Sequence, residues 1–259
     1  MKVVLFCGGL GTRLREHSET IPKPLVTVGY RPLMWHLMRY YAHYGHKDFI
    51  LCLGYRGDLI REYFLKYNEC VSNDFVLSEG GRKVEMLTSD LQDWRITFVD
   101  TGQHSNIGQR LLRVRSYLDG EEAFLANYSD GLSDLPLDRH IESFRQKGVT
   151  ANFISVRPAQ SFHAVRADAG GVVTAVEPLA DSILRINGGF FVLRRDIFDH
   201  INEGEELVEQ PFRRLIEKRQ LAATFHDGFW QPMDTIKDKM TLDHMDAHNV
   251  CPWKVWLKP

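Results

Sequence analysis

The stretch MKVVLFCGGLGTRLREHSETIPKPL, residues 1–25, decides the fold of this chain. Residues 3–6 form an unbroken apolar run, which is typical of a parallel strand buried on both faces. The run is followed by Gly8, Gly9 and Gly11. Glycines permit positive φ angles and let a ligand approach main-chain N–H groups, which can bind an anion together. The pattern predicts an anion-binding turn after the first strand.

Two basic residues follow this turn. Arg13 carries a planar guanidinium, which suits phosphate oxygens. Lys23 stands between Pro22 and Pro24, whose rings restrict the backbone on both sides of it. A polyphosphate site is indicated by the glycines, Arg13 and the conformationally restricted Lys23, which all follow the first strand.

Two other phosphate-binding motifs do not fit the same stretch. The Rossmann fingerprint G-x-G-x-x-G fails because Gly9 and Gly11 are followed by Leu14 where it requires a third glycine. The P-loop fails because no lysine follows a glycine at the spacing it requires. The remaining alternative is a tight strand-to-helix turn with an arginine and a lysine nearby by chance.

Length and composition exclude several classes of protein. A chain of 259 residues can bury the core of one α/β domain with an elaboration. Its net charge of −2 gives no overall basic field for nucleic acid or an anionic membrane. No apolar run reaches the roughly 18 residues of a membrane span, and no signal-peptide pattern opens the sequence. We expect a cytoplasmic protein with no nucleic-acid or membrane partner.

Apolar strand patterns alternate with amphipathic helix patterns through the first half of the chain. Such alternation predicts parallel strands joined by right-handed crossovers. The predicted strands are 48–53, 95–99, 122–128 and 150–156, and the predicted helices are 32–44, 58–67, 110–118 and 137–147. Residues 68–94 read as an inserted excursion. The expected fold is α/β and Rossmann-like, with a mostly parallel sheet flanked by helices.

The pattern changes after about residue 155. Short strands around a turn at 168–171 predict a β-hairpin, and helices are predicted at 196–201, 207–218 and 235–248. We expect this smaller β-hairpin and helical portion to bind an acceptor and to mediate assembly. The aromatic segment 253–256 suggests a contact between subunits.

Asp130 directly follows a predicted strand and precedes a glycine. Ligands of open α/β sheets bind beyond the carboxyl ends of the strands, and Mg²⁺ prefers one or two carboxylates together with substrate oxygens. Asp130 is therefore a candidate metal ligand, with a turn-forming aspartate as the alternative. Asp234 precedes the last predicted helix, where the residues alone favour an ordinary helix N-cap.

The chain resembles the sugar-1-phosphate nucleotidyltransferases, and most of all their glucose-1-phosphate cytidylyltransferase branch. The resemblance covers nearly the whole chain. It is carried by GGLGTRL, PKPL, WHLMRYY, GYRGDLIREYF, VDTG, NGGFFVL, FWQPMDT and PWKVW. It implies a single nucleotidyltransferase domain over residues 1–259, with a nucleotide-binding half at 1–154 and an acceptor-binding and assembly half at 155–259.

The resemblance also implies roles for individual residues. Asp130 and Asp234 would hold Mg²⁺ together, which reverses the N-cap interpretation of Asp234. Arg13, Lys23 and Asp130 would form the catalytic group. The implied CTP-binding positions are Gly8, Gly9, Gly11, Thr12, Thr101, Gly102, Ser105 and Arg110. Asn187 and Gly188 match positions that meet the sugar.

The implied reaction is attack of an acceptor phosphate oxygen on the α-phosphorus of CTP, which releases pyrophosphate. A phosphate monoester is mostly deprotonated at pH 7, because its second pKa is about 6, so no general base is needed. The acceptor is expected to be a sugar 1-phosphate, with another phosphorylated sugar or non-sugar as the alternative. A non-catalytic nucleotide-binding regulatory protein is a further alternative, and a homo-oligomer is expected.

One segment departs from the family pattern. The family carries Glu-Lys-Pro ahead of its NGGFF motif, and this chain reads Val176-Glu177-Pro178 without the phosphate-binding lysine. His163 stands where a glycine is common. Either Arg185 or His163 replaces the lysine, or the acceptor is not glucose 1-phosphate. We therefore expect glucose 1-phosphate to be a poor substrate or none, with a local misalignment and an ordinary substrate as the alternative.

Overall fold

An eight-stranded, mostly parallel sheet forms the centre of the structure. The structure is a computed structural model that describes residues 1–9, 21–158, 162–179 and 183–257. Its strands are β1 (Val3–Phe6), β2 (Thr27–Val28), β3 (Arg31–Pro32), β4 (Asp48–Leu53), β5 (Phe75–Ser78), β6 (Lys83–Met86), β7 (Arg95–Asp100), β8 (Ala123–Tyr128), β9 (Gly131–Ser133), β10 (Ala151–Val156), β11 (His163–Ala167), β12 (Val173–Pro178), β13 (Ile186–Asn187), β14 (Phe191–Arg194), β15 (Leu221–His226) and β16 (Trp230–Pro232). Its α-helices are α1 (Leu33–His43), α2 (Gly57–Leu65), α3 (Ile107–Val114), α4 (Leu137–Lys147), α5 (Gln210–Glu217) and α6 (Ile236–Ala247).

The order of the strands places the first strand inside the sheet. β1 pairs in parallel with β4 on one side and with β8 on the other, and β7 continues the sheet beyond β4. β14 lies antiparallel between β8 and β10, and β15 pairs in parallel with β10. The expected α/β fold is confirmed, with β14 as an antiparallel strand within the mostly parallel sheet.

Successive residues of the buried strands face opposite sides of the sheet. Val3 and Leu5 belong to one core cluster and Val4 and Phe6 to the other, as the two-residue period of a strand requires. Helices α1, α4 and α6 cover the first cluster, and α3 and α5 cover the second. Burial on both faces explains the continuous apolar run of β1.

Three predicted helices differ from the observed ones. The helix predicted at 110–118 begins at Ile107, where Asn106 caps it, and ends at Val114, and residues 115–118 form a 3-10 helix. The segment predicted at 196–201 is a 3-10 helix, Arg195–His200. The helix predicted at 207–218 begins at Gln210, because Pro211 has no N–H to donate and fits only the first turn. The predicted hairpin is present as β11 and β12, and the excursion at 68–94 contains a second hairpin, β5 and β6. Among the described residues, no helix has the length and apolar character of a membrane span.

The carboxy-terminal aromatic segment packs inside the chain. The Trp253 side chain is 1% exposed, and its ring lies against His36 of α1 and Phe229. Its indole N–H donates to His36 Nδ1 at 3.4 Å. Trp253 therefore has no free surface for another subunit. Trp256 of the same segment is half-buried, so the expected subunit contact of residues 253–256 stays a prediction.

Replacement of this residue should show its structural role. Trp253→Ala should lower the free energy of unfolding by about 3–5 kcal/mol, because a large buried side chain is lost and a cavity remains. Urea denaturation monitored by circular dichroism measures the change. Unchanged stability combined with dissociation of an oligomer would contradict the intramolecular role.

Candidate active site

The ends of four parallel strands define a cleft of about 400 Å³ at one edge of the sheet. β1, β4, β7 and β8 all point their carboxyl ends to this edge, where open α/β sheets bind ligands. The described lining residues are Phe6, Gly8, Gly9, Lys23, Pro24, Ser105, Asn106, Ile107, Arg110, Tyr128, Ser129, Asp130, Glu206 and Asp234.

Arg110 of α3 joins the ends of three of these strands. Its guanidinium donates to the carbonyl oxygens of Gly8 at 3.0 Å and Leu53 at 3.2 Å, and to Thr101 Oγ1 at 2.7 Å. Arg110 is 3% exposed, and burial lowers its pKa, although arginine remains protonated in proteins. A buried charge with these partners fixes the base of the cleft.

The glycine turn must approach this guanidinium closely. A Cβ atom on Gly8 would lie 2.0 Å from Arg110 Nη1, so no larger residue fits without movement. Gly102 has φ +87, and a Cβ there would also meet Arg113 and Ser105 within 3 Å. The glycines are therefore required by packing and by backbone conformation.

The structure separates the predicted nucleotide-binding residues into two groups. Gly8, Gly9, Ser105 and Arg110 line the cleft. Thr101 is fully buried behind it, where its hydroxyl donates to the Leu53 carbonyl at 2.7 Å. Thr101 and Gly102 are not among the lining residues, so they shape the loop rather than face the cleft. The predicted residues Gly11, Thr12 and Arg13 lie outside the described residues.

Lys23 lies on a tight turn that faces the cleft. The turn is the 3-10 helix Lys23–Leu25, closed by a hydrogen bond from the Leu25 N–H to the Pro22 carbonyl at 2.8 Å. The Lys23 ammonium lies 2.9 Å from Asp130 Oδ2 and 2.6 Å from Asp234 Oδ1. The predicted lysine and both predicted carboxylates therefore meet at one point.

A short pair of strands brings the two aspartates together. Asp130 directly precedes β9, and Asp234 follows two residues after the end of β16. The antiparallel pairing aligns Gly131 with Pro232, and the Met233 N–H donates to the Asp130 carbonyl at 2.8 Å. The N-cap of α6 is Thr235, so the Asp234 carboxylate is left to face Lys23.

The charges at this point suit a shared cation. Burial opposes protonation of Lys23, but the Asp130 and Asp234 carboxylates outweigh it and raise the pKa of Lys23. One oxygen of each carboxylate contacts the same ammonium, and their joint role as metal ligands stays a prediction. Carboxylate oxygens are ligands that Mg²⁺ prefers. No cluster of three or more His, Cys, Asp or Glu side chains suited to a metal occurs in the described part of the chain, so substrate oxygens would complete the coordination.

The predicted acceptor residues lie outside the described cleft lining. Asn187 donates to the Tyr128 hydroxyl at 3.2 Å, and the Gly188 carbonyl accepts from the Trp230 indole at 2.9 Å. His163 is exposed on β11 and pairs across the hairpin with Pro178. Asn187 thus reaches the cleft through Tyr128, and the acceptor roles of these residues stay predictions.

Arg185 and Glu177 are both engaged with oppositely charged partners. The Arg185 guanidinium donates to Asp227 Oδ1 at 2.5 Å and to the Ser155 carbonyl at 2.8 Å. Glu177 accepts from Arg166 at 2.7 Å across the β11–β12 hairpin. Binding of an acceptor phosphate by Arg185 would have to compete with Asp227.

Sequence reasoning missed two prominent residues of the cleft, Tyr128 and Glu206. Tyr128 is the last residue of β8, two positions before Asp130, so the strand-end rule that selected Asp130 could have found it. Glu206 lies in the loop before α5 and is brought to the cleft only by tertiary packing against α3. No local pattern in the sequence marks it.

Replacement of Arg110 tests its role at the strand ends. Arg110→Lys should lower the free energy of unfolding by about 1–3 kcal/mol, because a lysine cannot reach all three acceptors and takes the arginine donor from the buried Gly8 carbonyl. Arg113→Lys is the matched control, since Arg113 lies on the same helix and is exposed, and it should cost about 0.5 kcal/mol or less. Equal losses in urea denaturation would show that Arg110 has no special role.

Comparisons with known proteins identify the family of this chain. The sequence profile of the nucleotidyl transferase family matches residues 2–241. Glucose-1-phosphate cytidylyltransferases of Salmonella typhi and of Salmonella typhimurium are each 40% identical over 99% of this chain and 100% of their own length. The fold is similar to UDP-glucose pyrophosphorylase of Acinetobacter baumannii, with a TM-score of 0.68, 18% identity and coverage of 95% of this chain and 93% of the other. The chain belongs to the nucleotidyl transferase family.

Proposed function

We propose that this protein is a magnesium-dependent cytidylyltransferase that converts CTP and a sugar 1-phosphate to a CDP-linked product and pyrophosphate. The convergence of Lys23, Asp130 and Asp234 at the edge of the cleft carries the proposal. The full-length similarity to glucose-1-phosphate cytidylyltransferases supports the choice of CTP and of the acceptor class. Membership of an enzyme family and the presence of all three charged groups argue against a non-catalytic regulatory protein.

In this reaction an oxygen of the acceptor phosphate forms a bond to the α-phosphorus of CTP. The bond between the α-phosphorus and the oxygen that bridges to the β-phosphate breaks, and pyrophosphate leaves with the bonding electrons. The nucleophile is already ionised at neutral pH, so the cleft needs to position the two phosphates and offset their charges rather than to remove a proton. Catalysis of this kind rests on preorganised charge.

Lys23 supplies a cation that is available without rearrangement of the backbone. Its raised pKa keeps it protonated, and its position in the lining gives the ammonium access to phosphate oxygens. Asp130 and Asp234 would hold Mg²⁺, which when bound offsets negative charge on the phosphates. Gly8 and Gly9 bring the main chain close to the ligand at the end of β1.

A different phosphorylated acceptor is a second candidate, and it is favoured by the β11–β12 hairpin. Glu177 occupies the region where the family carries a phosphate-binding lysine, and Arg166 neutralises it. Arg185, the nearest substitute in sequence, is already bound to Asp227. A dianionic phosphate therefore meets weaker attraction here than the resemblance implies.

The first test replaces the proposed metal ligand. Asp130→Asn should reduce turnover about 100-fold or more, because it removes a negative charge that holds the cation in the transition state. Pyrophosphate release with CTP, Mg²⁺ and a panel of sugar 1-phosphates measures the change, and a thermal melt checks folding. Asp93→Asn is the control, since Asp93 is an exposed aspartate outside the cleft lining. Near wild-type activity of a folded Asp130→Asn variant would make Asp130 only a turn residue.

Nucleotide choice gives a second prediction. CTP should be used far better than ATP or GTP, with UTP the nearest competitor, because a site that hydrogen-bonds one base leaves buried groups unpaired with another. Initial rates at equal concentrations of the four nucleotides measure the preference. Equal turnover with dTTP would remove the cytidylyl assignment and leave only nucleotidyl transfer.

Acceptor choice gives a third prediction. Glucose 1-phosphate should be a poor substrate or none, because the family's lysine is absent and Glu177 adds negative charge. Product formation from CTP is compared across sugar 1-phosphates and other phosphorylated small molecules. Efficient CDP-glucose formation that is unaffected by Arg185→Ala would contradict both an altered acceptor and a replacement of the lysine by Arg185.

A further inference from the structure

Glu206 is a third carboxylate in the described cleft lining, apart from the pair that Lys23 joins. Its Oε2 accepts from the Ile107 N–H of α3 at 3.2 Å, and its Oε1 accepts from the Leu207 N–H at 2.9 Å. The loop that carries it is also tied to α3, since Asn106 Nδ2 donates to the Gly204 carbonyl at 2.9 Å. Each carboxylate oxygen thus has one fixed donor and retains capacity to accept from a ligand.

A fixed negative charge is unexpected in a cleft that binds a triphosphate. Like charges in one site repel each other and cost binding energy. The carboxylate can favour a nucleotide only if the nucleotide presents a hydrogen-bond donor to it. Glu206 contacts the segment that includes Ser105, Asn106 and Ile107, which is the predicted nucleotide loop. Its hydrogen bonds do not involve the Lys23 turn, where the phosphates are expected. We therefore expect the hydrogen-bond donor to belong to the nucleoside part of the ligand.

Two kinds of nucleoside group can donate a hydrogen bond, the ribose hydroxyls and the exocyclic amino group of the base, and they differ in the partner that suits them. Ribose hydroxyls both donate and accept, so either a neutral group or a carboxylate can bind them. The exocyclic amino group of cytosine only donates, and a carboxylate that only accepts is its natural partner. Uracil presents a carbonyl oxygen at the same position, which a carboxylate repels.

The neighbours of Glu206 supply the rest of the pattern. Arg110 lines the same cleft and only donates, which suits the acceptor atoms on the remaining edge of cytosine. Tyr128 lines the same cleft, and its phenol has a single hydrogen to donate. Because the Tyr128 oxygen accepts from Asn187, its hydrogen is directed to another partner, and a ribose hydroxyl fits it.

We propose that Glu206 binds the exocyclic amino group of cytosine and is the residue by which this site selects CTP over UTP. The proposal rests on the proposed cytidylyltransferase function and names the group that gives it base specificity. Its second role, as an acceptor for the first turn of α3, holds the carboxylate in place.

Equilibrium binding separates this role from a purely structural one, and it needs no acceptor. Titration calorimetry with CTP, UTP and dCTP in Mg²⁺ is carried out on the wild type, on Glu206→Gln and on the control Glu203→Gln. Glu203 is exposed, lies outside the cleft lining and gives the same change of charge. Glu206→Gln should weaken CTP binding about 10- to 100-fold, because one charge-assisted hydrogen bond to the base is lost. UTP binding should stay the same or become tighter, because the negative charge that repels the uracil carbonyl is removed.

The outcomes have distinct meanings. A fall in CTP and dCTP affinity with unchanged or higher affinity for UTP supports the proposal, and Glu203→Gln should resemble the wild type. Equal losses of affinity for CTP and UTP would mean that Glu206 only caps the helix. A loss of affinity for CTP but not for dCTP would mean that Glu206 binds the ribose. Either result overturns the proposal. If Glu206→Gln does not fold, Glu206→Asp, which shortens the side chain by one methylene, must lower the CTP-to-UTP affinity ratio. If the wild type binds CTP and UTP equally, the role proposed for Glu206 is wrong, and pyrophosphate release still tests the transferase function. If the wild type binds no nucleotide, both the role of Glu206 and the transferase function are wrong.

Discussion

The ion pairs of Lys23 with Asp130 and Asp234 are the interaction on which the rest of the site depends. They join the loop after the first strand, the end of β8 and the start of α6, which are more than 100 residues apart in sequence. The two aspartates would repel each other at this distance without a shared cation. In the structure Lys23 supplies that cation. In the proposed reaction Mg²⁺ would take its place between the two carboxylates, and substrate phosphates would give Lys23 another negative partner.

The parallel sheet makes this convergence possible. Every parallel strand ends at the same edge, so a carboxylate at the end of β8 and a glycine turn at the end of β1 are neighbours by topology. Arg110 then closes the base of the cleft by binding the ends of three strands. This use of a buried arginine explains why Gly8 can have no side chain: its Cβ would occupy the guanidinium site.

The sequence predicted the sheet, the cleft edge and the charged groups at it because each depends on local pattern. The apolar run of β1 and the position of Asp130 after β8 follow from the rules for parallel strands. The pairing of β9 with β16, which places Asp234, involves three-residue strands too short to give a periodic signal. Glu206 was not predicted either, because only the packing of its loop against α3 brings it to the cleft. The burial of Trp253 could not be predicted, because exposed and buried aromatic residues look alike in a sequence without tertiary contacts.

The proposed reaction requires the two aspartates to bind one cation together with the nucleotide. The most direct measurement is equilibrium dialysis of Mn²⁺, an ion with similar oxygen-ligand preference, against the protein with CTP, with the bound ion counted by electron paramagnetic resonance. The wild type should retain about one tightly bound Mn²⁺ per chain in the presence of CTP, and Asp234→Asn should lose it while remaining folded. Equal retention by the wild type and Asp234→Asn would contradict the shared site and with it the proposed reaction.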